Sequence, residues 1–87
     1  MNYKIKFTKQ ATTDIQYLKK THLIEKAKKI VEIIKKDPFS TPPPFEKLIG
    51  DLRGMYSRRL NIQHRLVYSV DENTKTVKII RMWKHYH

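Results

Sequence analysis

The sequence predicts an α+β domain in which a helical hairpin packs on a mainly antiparallel sheet, with the element order βααβββ. The chain begins with an alternating strand pattern, continues with two stretches of helical periodicity, and ends with three strand-like stretches. Its 87 residues, 39% of them hydrophobic and 31% charged, are typical of one small folded domain, which we expect to span residues 1–87. The chain has no cysteine, which excludes disulfides and thiolate metal sites.

The first half predicts one strand and two helices. Residues 2–7 alternate apolar and polar side chains, which is the period of a half-buried strand. Thr8 can cap a helix that extends to about Lys20, and residues 23–36 repeat apolar side chains at helical spacing. The link around Thr21 and His22 is short, so the two helices should run antiparallel.

A proline-rich segment separates the helices from the remaining strands. Pro38 disfavours helical geometry at Asp37, and the three prolines at 42–44 hold the chain extended, which predicts a stiff loop. Three further strands are predicted, over residues 55–62, 64–70 and 75–83. Residues 71–74 carry the turn signal that joins the last two strands.

Positive charge is the strongest global property of the chain. Lys and Arg number 19 against 8 Asp and Glu, a formal net charge of +11, which attracts polyanions such as nucleic acid or an acidic protein. All five arginines lie at or beyond position 53, whereas residues 1–36 contain lysine but no arginine. Because lysine acts as a hydrated point charge and the guanidinium group binds phosphate oxygens in pairs, the arginine-rich half is the candidate binding site.

The segment over residues 54–70 predicts a hairpin with an unusual concentration of arginine. If residues 61–63 form its turn, Arg59 faces Arg65 directly and Tyr56 faces Tyr68. Like charges opposite each other cost stability unless a phosphate or carboxylate lies between them, so this register predicts an anion site. With the turn elsewhere, the arginines would project to opposite faces as a solvated rim, and spacing alone leaves both interpretations open.

Few residues could supply acid–base chemistry. Glu46 follows the proline run, and a carboxylate set among guanidinium groups stays ionised and can take a proton from a ribose 2′-hydroxyl. His85 is the complementary acid, since imidazole changes charge near neutral pH. Acidic residues are too sparse for a typical metal site, so we expect no metal and no cofactor. From spacing alone, it remains an alternative that Glu46 is an ordinary loop carboxylate and His85 an ordinary tail histidine, with no part in catalysis.

The N-terminal residues show no targeting pattern. They lack the apolar stretch of a signal peptide, and the chain contains no run of roughly 20 apolar residues that could span a membrane. We therefore expect no membrane association and a cytoplasmic location.

The run PFEKLIGDLRGMYSRRLNIQHRLVYSV, together with the His-Tyr pair near the end, resembles the YoeB/Txe group of toxins within the RelE/ParE superfamily. These proteins are the toxic halves of bacterial toxin–antitoxin modules, and the resemblance covers the whole chain in order and length. Its distinctive parts are Glu46-x-Leu48, Gly54-x-x-Ser57-Arg58-Arg59, His64-Arg65-Leu66-Val67-Tyr68 and His85-Tyr86.

The resemblance implies a ribosome-dependent mRNA interferase, an endoribonuclease that enters the A site of the 70S ribosome and cuts mRNA there. A cognate, acidic YefM-like antitoxin would inhibit it, and a homodimer of the free toxin is left open. The family's general base falls on Glu46, its phosphate-stabilising arginine on Arg65 with support from Arg59, its general acid on His85 and the adjoining aromatic on Tyr86. We assign Arg58 and Lys47, with Arg59, to RNA or phosphate binding.

The chain departs from the family pattern at three positions. Gln63 replaces a frequent acidic residue, Ile49 replaces a frequent lysine, and His87 is an additional terminal residue. Two other functions remain. The first is a ParE-like inhibitor that binds gyrase, although that branch of the superfamily lacks the Glu, Arg and His set. The second is a non-catalytic basic RNA-binding module.

Overall fold

The computed structural model describes residues 2–82. Its elements are β1 (Lys4–Phe7), α1 (Lys9–Leu18), α2 (Leu23–Lys36), β2 (Phe45–Lys47), a 3₁₀ turn (Gly50–Leu52), β3 (Met55–Arg59), β4 (Arg65–Asp71) and β5 (Thr76–Arg81). The strands form one sheet in the order β1-β5-β4-β3-β2, in which β1 runs parallel to β5 and the other pairs are antiparallel. This confirms the predicted α+β architecture. None of the helices within residues 2–82 has the length and apolar character needed to cross a membrane.

Thr8 caps α1, as its residue type predicts. Its Oγ1 accepts a hydrogen bond from the backbone N–H of Ala11 at 3.0 Å and donates one to the carbonyl of Ile80 at 2.7 Å. The same side chain therefore satisfies an unpaired amide of the helix start and ties that start to β5.

The helices pack on one face of the sheet through the apolar positions that the periodicity predicts. The buried core includes Ala11, Leu18, Leu23, Ala27, Ile30 and Ile34 from the helices and Leu66, Tyr68, Val77 and Ile79 from the sheet. Each large apolar side chain contributes roughly 1.5–3 kcal/mol through burial. The opposite face of the sheet, here called the outer face, carries the residues that alternate with these core positions: Lys4, Lys6, Glu46, Ser57, Arg59, Arg65, Val67, Ser69, Thr76 and Lys78.

The hairpin has the register that places the two arginines opposite each other. Arg59 pairs with Arg65, and Tyr56 pairs with Tyr68. The side chain of Asn61 closes the turn, because its Oδ1 accepts hydrogen bonds from the backbone N–H groups of Gln63 and His64 at 2.8 and 2.7 Å.

The sequence prediction was wrong about the strand boundaries around this hairpin. The predicted strand over 55–62 ends at Arg59, because the amides of Leu60 and Asn61 both donate to the carbonyl of His64 and the chain already turns there. The segment that follows the prolines was also predicted as loop, and this is wrong for its last residues. Phe45–Lys47 forms β2, a fifth strand that pairs with β3 and completes one edge of the sheet.

Candidate functional site

The predicted base and the predicted phosphate-binding arginine are in direct contact on the outer face. Nη1 of Arg65 donates to Oε1 of Glu46 at 3.0 Å and to Oγ of Ser57 at 3.3 Å. The contact depends on β2, because pairing of β2 with β3 and of β3 with β4 brings the two side chains onto one face. The Glu46 side chain is 62% exposed and the Arg65 side chain 20%, so the carboxylate remains accessible from solvent.

A pocket of about 290 Å³ opens beside this pair. It is lined by Glu46, Lys47, Leu48, Ile49, Leu52, Ser57 and Arg65. The 3₁₀ turn forms one wall, and glycines with positive φ lie at its start and just beyond its end, Gly50 at 68° and Gly54 at 92°. The volume is close to the lower end of small-ligand pockets, which suits a phosphate with part of a nucleotide.

Two of the predicted binding residues lie exposed at the site. Arg59 is directly opposite Arg65 in the hairpin, and its guanidinium makes no hydrogen bond or ion pair with residues 2–82. Lys47 is exposed on β2 and lines the pocket, but it alternates with Glu46 along the strand and faces the opposite side of the sheet, the side of Tyr56. Glu46 thus pairs with one of the two arginines on the outer face, and the site keeps a positive charge that favours an anionic ligand.

Arg58 does not join these residues, which corrects its assignment to phosphate binding. The side chain is fully buried, and its guanidinium donates to the carbonyls of Pro38, Ser40 and Pro43 at 2.9, 2.9 and 2.6 Å. Its Nε donates to the hydroxyl of Tyr68 at 3.1 Å. Because neighbouring residues of a strand face opposite sides, Arg58 points away from the outer face, into the interior.

The Arg58 side chain holds the proline-rich segment against the sheet. The guanidinium carbon lies 5.3 Å from the ring centroid of Phe45 and 5.9 Å from that of Tyr68, and the Tyr68 hydroxyl donates to the Pro38 carbonyl at 2.7 Å. Phe39 and Tyr56 complete an aromatic cluster with Phe45, with ring centroids 5.2–5.9 Å apart. Phe45 immediately precedes Glu46, so this cluster fixes the strand that presents the carboxylate.

Asp14 forms a second buried polar cluster that the sequence analysis missed. It is 1% exposed on α1. Its Oδ1 accepts from Nε2 of Gln10 at 2.9 Å, and its Oδ2 accepts from the backbone N–H of Met82 at 3.1 Å and lies 3.9 Å from Nε of Arg81. The helix therefore fixes the end of β5. Asp14 sits between Ala11 and Leu18 at helical spacing, which is the one sequence signal that it faces inward.

His85 and Tyr86, the predicted acid and its neighbouring aromatic, lie outside the described residues, as do Trp83 and His87. Both assignments stay predictions. Within residues 2–82, no three His, Cys, Asp or Glu side chains lie close enough together to hold a metal ion.

Comparison with known proteins gives consistent matches over nearly the whole chain. The family model for the YoeB-like toxin of bacterial type II toxin–antitoxin systems matches residues 7–86. The toxin YoeB of Synechocystis sp. is 32% identical over 95% of this chain and 96% of its own length.

Two solved structures share the fold closely. The YoeB/ParE toxin from Agrobacterium tumefaciens superposes with a TM-score of 0.87 at 29% identity, covering 95% of this chain and 99% of that one. A chain of the YoeB–YefM complex from Staphylococcus aureus superposes with a TM-score of 0.80 at 34% identity, covering 99% and 100%.

Proposed function

This chain belongs to the family of YoeB-like toxins of bacterial type II toxin–antitoxin systems, and we propose that it is an endoribonuclease that cleaves mRNA in the A site of the 70S ribosome. The observation that carries the proposal is the 3.0 Å contact between Glu46 and Arg65 at the mouth of a positively charged pocket. A base beside a phosphate-binding guanidinium is the minimal arrangement for activating a hydroxyl next to a phosphodiester.

In the proposed reaction, Glu46 takes the proton of the ribose 2′-hydroxyl, and the resulting oxygen attacks the adjacent phosphorus. The bond from phosphorus to the 5′-oxygen breaks, and His85 protonates that leaving oxygen, with Tyr86 beside it. The products are a 2′,3′-cyclic phosphate and a free 5′-hydroxyl. Arg65 and Arg59 neutralise the charge that develops on the non-bridging oxygens. No step requires a metal or a cofactor.

The contact between Glu46 and Arg65 is compatible with both roles. Both hydrogen bonds that the Arg65 side chain makes within residues 2–82 use Nη1, so its other guanidinium nitrogens have no partner among these residues. Those nitrogens supply the paired donors that phosphate oxygens accept. The exposed carboxylate of Glu46 can meanwhile reach a 2′-hydroxyl on the solvent side.

The charge of the chain supports two partners for this site. A net charge of +11 favours entry into a cavity lined by rRNA phosphates, with affinity that falls as salt rises. An acidic YefM-like antitoxin would silence the enzyme by occupying the groove beside Arg59 and Arg65, and binding would stabilise the toxin by mass action. The solved relative from Staphylococcus aureus is a complex with YefM. A cytoplasmic location and a homodimer of the free toxin stay predictions.

The test is cleavage of one mRNA on programmed ribosomes, with its new ends mapped, by the wild type, Glu46→Gln and the control Glu32→Gln. Glu32 is an exposed carboxylate on α2, so the control changes charge equally without touching the site. We expect cuts confined to the A-site codon and a loss of at least about a hundredfold in Glu46→Gln only, because a general base contributes 10²–10⁴-fold. The same mRNA without ribosomes should be cut at least about a hundredfold more slowly, since the ribosome positions the substrate.

Three results would contradict the proposal. A folded Glu46→Gln protein that cuts as fast as the wild type would exclude Glu46 as the base. Poisoning of gyrase without mRNA cleavage would indicate the ParE-like function. Ribosome binding without any new mRNA ends would indicate a non-catalytic RNA-binding module.

A further inference from the structure

The far end of the outer face carries a second concentration of positive charge. Lys4 and Lys6 of β1 and Lys78 of β5, here called the lysine patch, are all exposed, and Lys6 and Lys78 are direct partners in the sheet. The patch borders a concave surface with a cavity of about 580 Å³, which is also lined by Ser69, Val70, Asp71, Thr74 and Thr76.

No ion pair within residues 2–82 involves the lysine patch. None of its three ammonium groups forms an ion pair with a described residue. Asp71 is the only carboxylate among the lining residues, so three lysines are opposed by one negative charge, and its Oδ1 is directed to the backbone N–H groups of Asn73 and Thr74 at 2.9 and 3.3 Å. Like charges that face each other across neighbouring strands destabilise a sheet, so the arrangement favours an anion bound between them.

The other nearby carboxylate is also engaged. Glu72 accepts a hydrogen bond from the hydroxyl of Tyr3 at 2.7 Å and pairs with Lys75 at 3.2 Å. These two hydrogen bonds hold the pKa of Glu72 below its usual value, which keeps it ionised for Lys75. The positive charge of the lysine patch is therefore left for a ligand from outside the chain.

The composition of the surface favours a phosphodiester backbone over an acidic protein segment. Its exposed groups are ammonium groups, and the half-buried Ser69 adds a hydroxyl that can donate to a phosphate oxygen. The hydroxyls of Thr74 and Thr76 already donate within the turn, to Oγ1 of Thr76 and to the carbonyl of Thr74. A protein partner would need buried aromatic or aliphatic anchors, and the lining offers only the partly buried Val70.

The patch also lies on the same face as the proposed catalytic pair. Ser69 and Arg65 both point to the outer face of β4, four residues apart, which corresponds to about 13 Å at a rise of about 3.3 Å per residue. Val67 lies between them and is fully buried, so a single RNA strand with its reacting phosphate at Arg65 would pass over this covered stretch and reach β5 and β1 within a few nucleotides.

We propose that the lysine patch of Lys4, Lys6 and Lys78 binds the phosphodiester backbone of the substrate RNA at a second position, a few nucleotides from the bond that is cut. This inference rests on the proposed function for the identity of the RNA strand. The patch would act in positioning and affinity and would take no part in the bond-making step.

The test measures binding of a short single-stranded RNA whose attacking 2′-hydroxyl is replaced by hydrogen, so that binding is read without cleavage. Lys4→Gln/Lys6→Gln/Lys78→Gln is compared with Lys26→Gln/Lys29→Gln/Lys36→Gln, a control that removes three exposed lysines from α2. We expect at least a roughly tenfold loss of affinity at low salt in the patch variant only. Its log–log salt slope should shrink by about 2, since each phosphate contact on single-stranded RNA contributes about 0.7. In ribosomal cleavage, the patch variant should raise KM and leave kcat close to the wild-type value.

Four results would overturn the inference. Unchanged RNA affinity of the patch variant would exclude the contact. An equal loss of affinity in the patch variant and the α2 control would show that RNA is attracted by the net charge of the whole protein and not bound at the patch. Loss of binding to an acidic antitoxin peptide with retained RNA binding would assign the patch to a protein partner. Wild-type protein that fails to bind the oligonucleotide would overturn it as well. Because binding is measured without cleavage, failure of the proposed nuclease activity remains distinguishable from all four.

Discussion

Arg58 and Arg59 are neighbours on β3 and have opposite environments. Arg58 is fully buried and donates to three carbonyls of the proline-rich segment and to one tyrosine hydroxyl. Arg59 is exposed, lies opposite Arg65, and makes no hydrogen bond or ion pair with residues 2–82. Strand alternation alone produces the difference, since successive side chains point to opposite faces of a sheet. Two adjacent arginines of equal charge thus separate into one with a structural role and one for which we propose a binding role.

The pair also shows two ways in which a protein accommodates a cation. Burial of a guanidinium is costly unless its N–H groups are paired, and here backbone carbonyls rather than a carboxylate supply the partners. An exposed guanidinium has no such cost and remains available to a ligand. Stability should therefore depend on Arg58 and function on Arg59.

Arg58→Ala should give the largest effect on stability. The substitution leaves the carbonyls of Pro38, Ser40 and Pro43 without their donor and opens a cavity beside Phe45, so we expect a loss of about 3–5 kcal/mol in the free energy of unfolding. Urea denaturation measures it. Arg58→Lys keeps the charge without the planar fork and should fall between alanine and the wild type. A loss below about 0.5 kcal/mol in Arg58→Ala, the range of ordinary surface substitutions, would refute the structural role.

Asp14→Asn extends the comparison to a buried anion. The carboxylate accepts hydrogen bonds on both oxygens, whereas an amide offers one oxygen and places an NH₂ group against a donor, so we expect a loss of about 1–3 kcal/mol. The exposed Asp51→Asn is the matched control and should stay within about 0.5 kcal/mol. Because Asp14 holds the amide of Met82, three residues before the proposed acid His85, cleavage should fall as well, in protein kept fully folded. Equal stability of Asp14→Asn and Asp51→Asn would count against a stabilising role for the hydrogen bonds of Asp14.

Arg59→Ala should change activity without changing stability. Removing a cation opposite Arg65 relieves like-charge repulsion, so the free energy of unfolding should stay the same or rise slightly. Ribosomal cleavage should slow roughly tenfold, which corresponds to about 1.4 kcal/mol of barrier. Single-turnover cleavage, measured beside urea denaturation of the same sample, separates the two quantities. A marked fall in stability with normal cleavage would reverse the roles that we assign to the two arginines.

Tyr68→Phe should give the smallest effect, about 1 kcal/mol, because it removes one hydroxyl that contacts Arg58 and Pro38. Burial raises the pKa of Tyr68 above the usual value of a tyrosine, although the hydrogen bond from Arg58 opposes this. A tyrosine whose pKa is higher in the folded state stabilises the protein fully below about pH 10, and this contribution is lost as the pH rises further. Urea midpoints between about pH 9 and pH 11 should therefore fall more steeply in the wild type than in Tyr68→Phe. If the urea midpoints of the two proteins fell equally with pH, the raised pKa of Tyr68 would not be the cause.

The parts of the fold that depend on local signals could be predicted from the sequence. Thr8 and the helical periodicity locate both helices, since capping and amphipathic spacing act over a few residues. The hairpin register that opposes Arg59 to Arg65 was one of two alternatives that the spacing left open, and the structure has this one. β2 escaped prediction because its three residues are too few to show alternation, and only pairing with β3 makes them a strand.

The sequence indicated the charged residues that reach solvent better than those that are buried. Glu46 was expected among guanidinium groups, and its carboxylate accepts a hydrogen bond from Arg65 on the outer face, while the roles of both residues in the reaction stay predictions. Arg58 was misassigned because its carbonyl partners come from a loop about 20 residues earlier in the chain, a contact that no local pattern records. Alternation with Arg59 was the available signal. Asp14 was overlooked since its partner amide, that of Met82, is 68 residues away in the chain.

The edges of the sheet have a consequence for how the protein behaves at high concentration. Unpaired backbone groups on an edge strand can template the addition of a strand from another molecule. Here one edge is β1, four residues long with Lys4 and Lys6, and the other is β2, three residues long and preceded by the prolines at 42–44, which lack N–H donors. Both edges are short and protected by charge or by proline. The sheet is therefore a poor template for edge-to-edge aggregation.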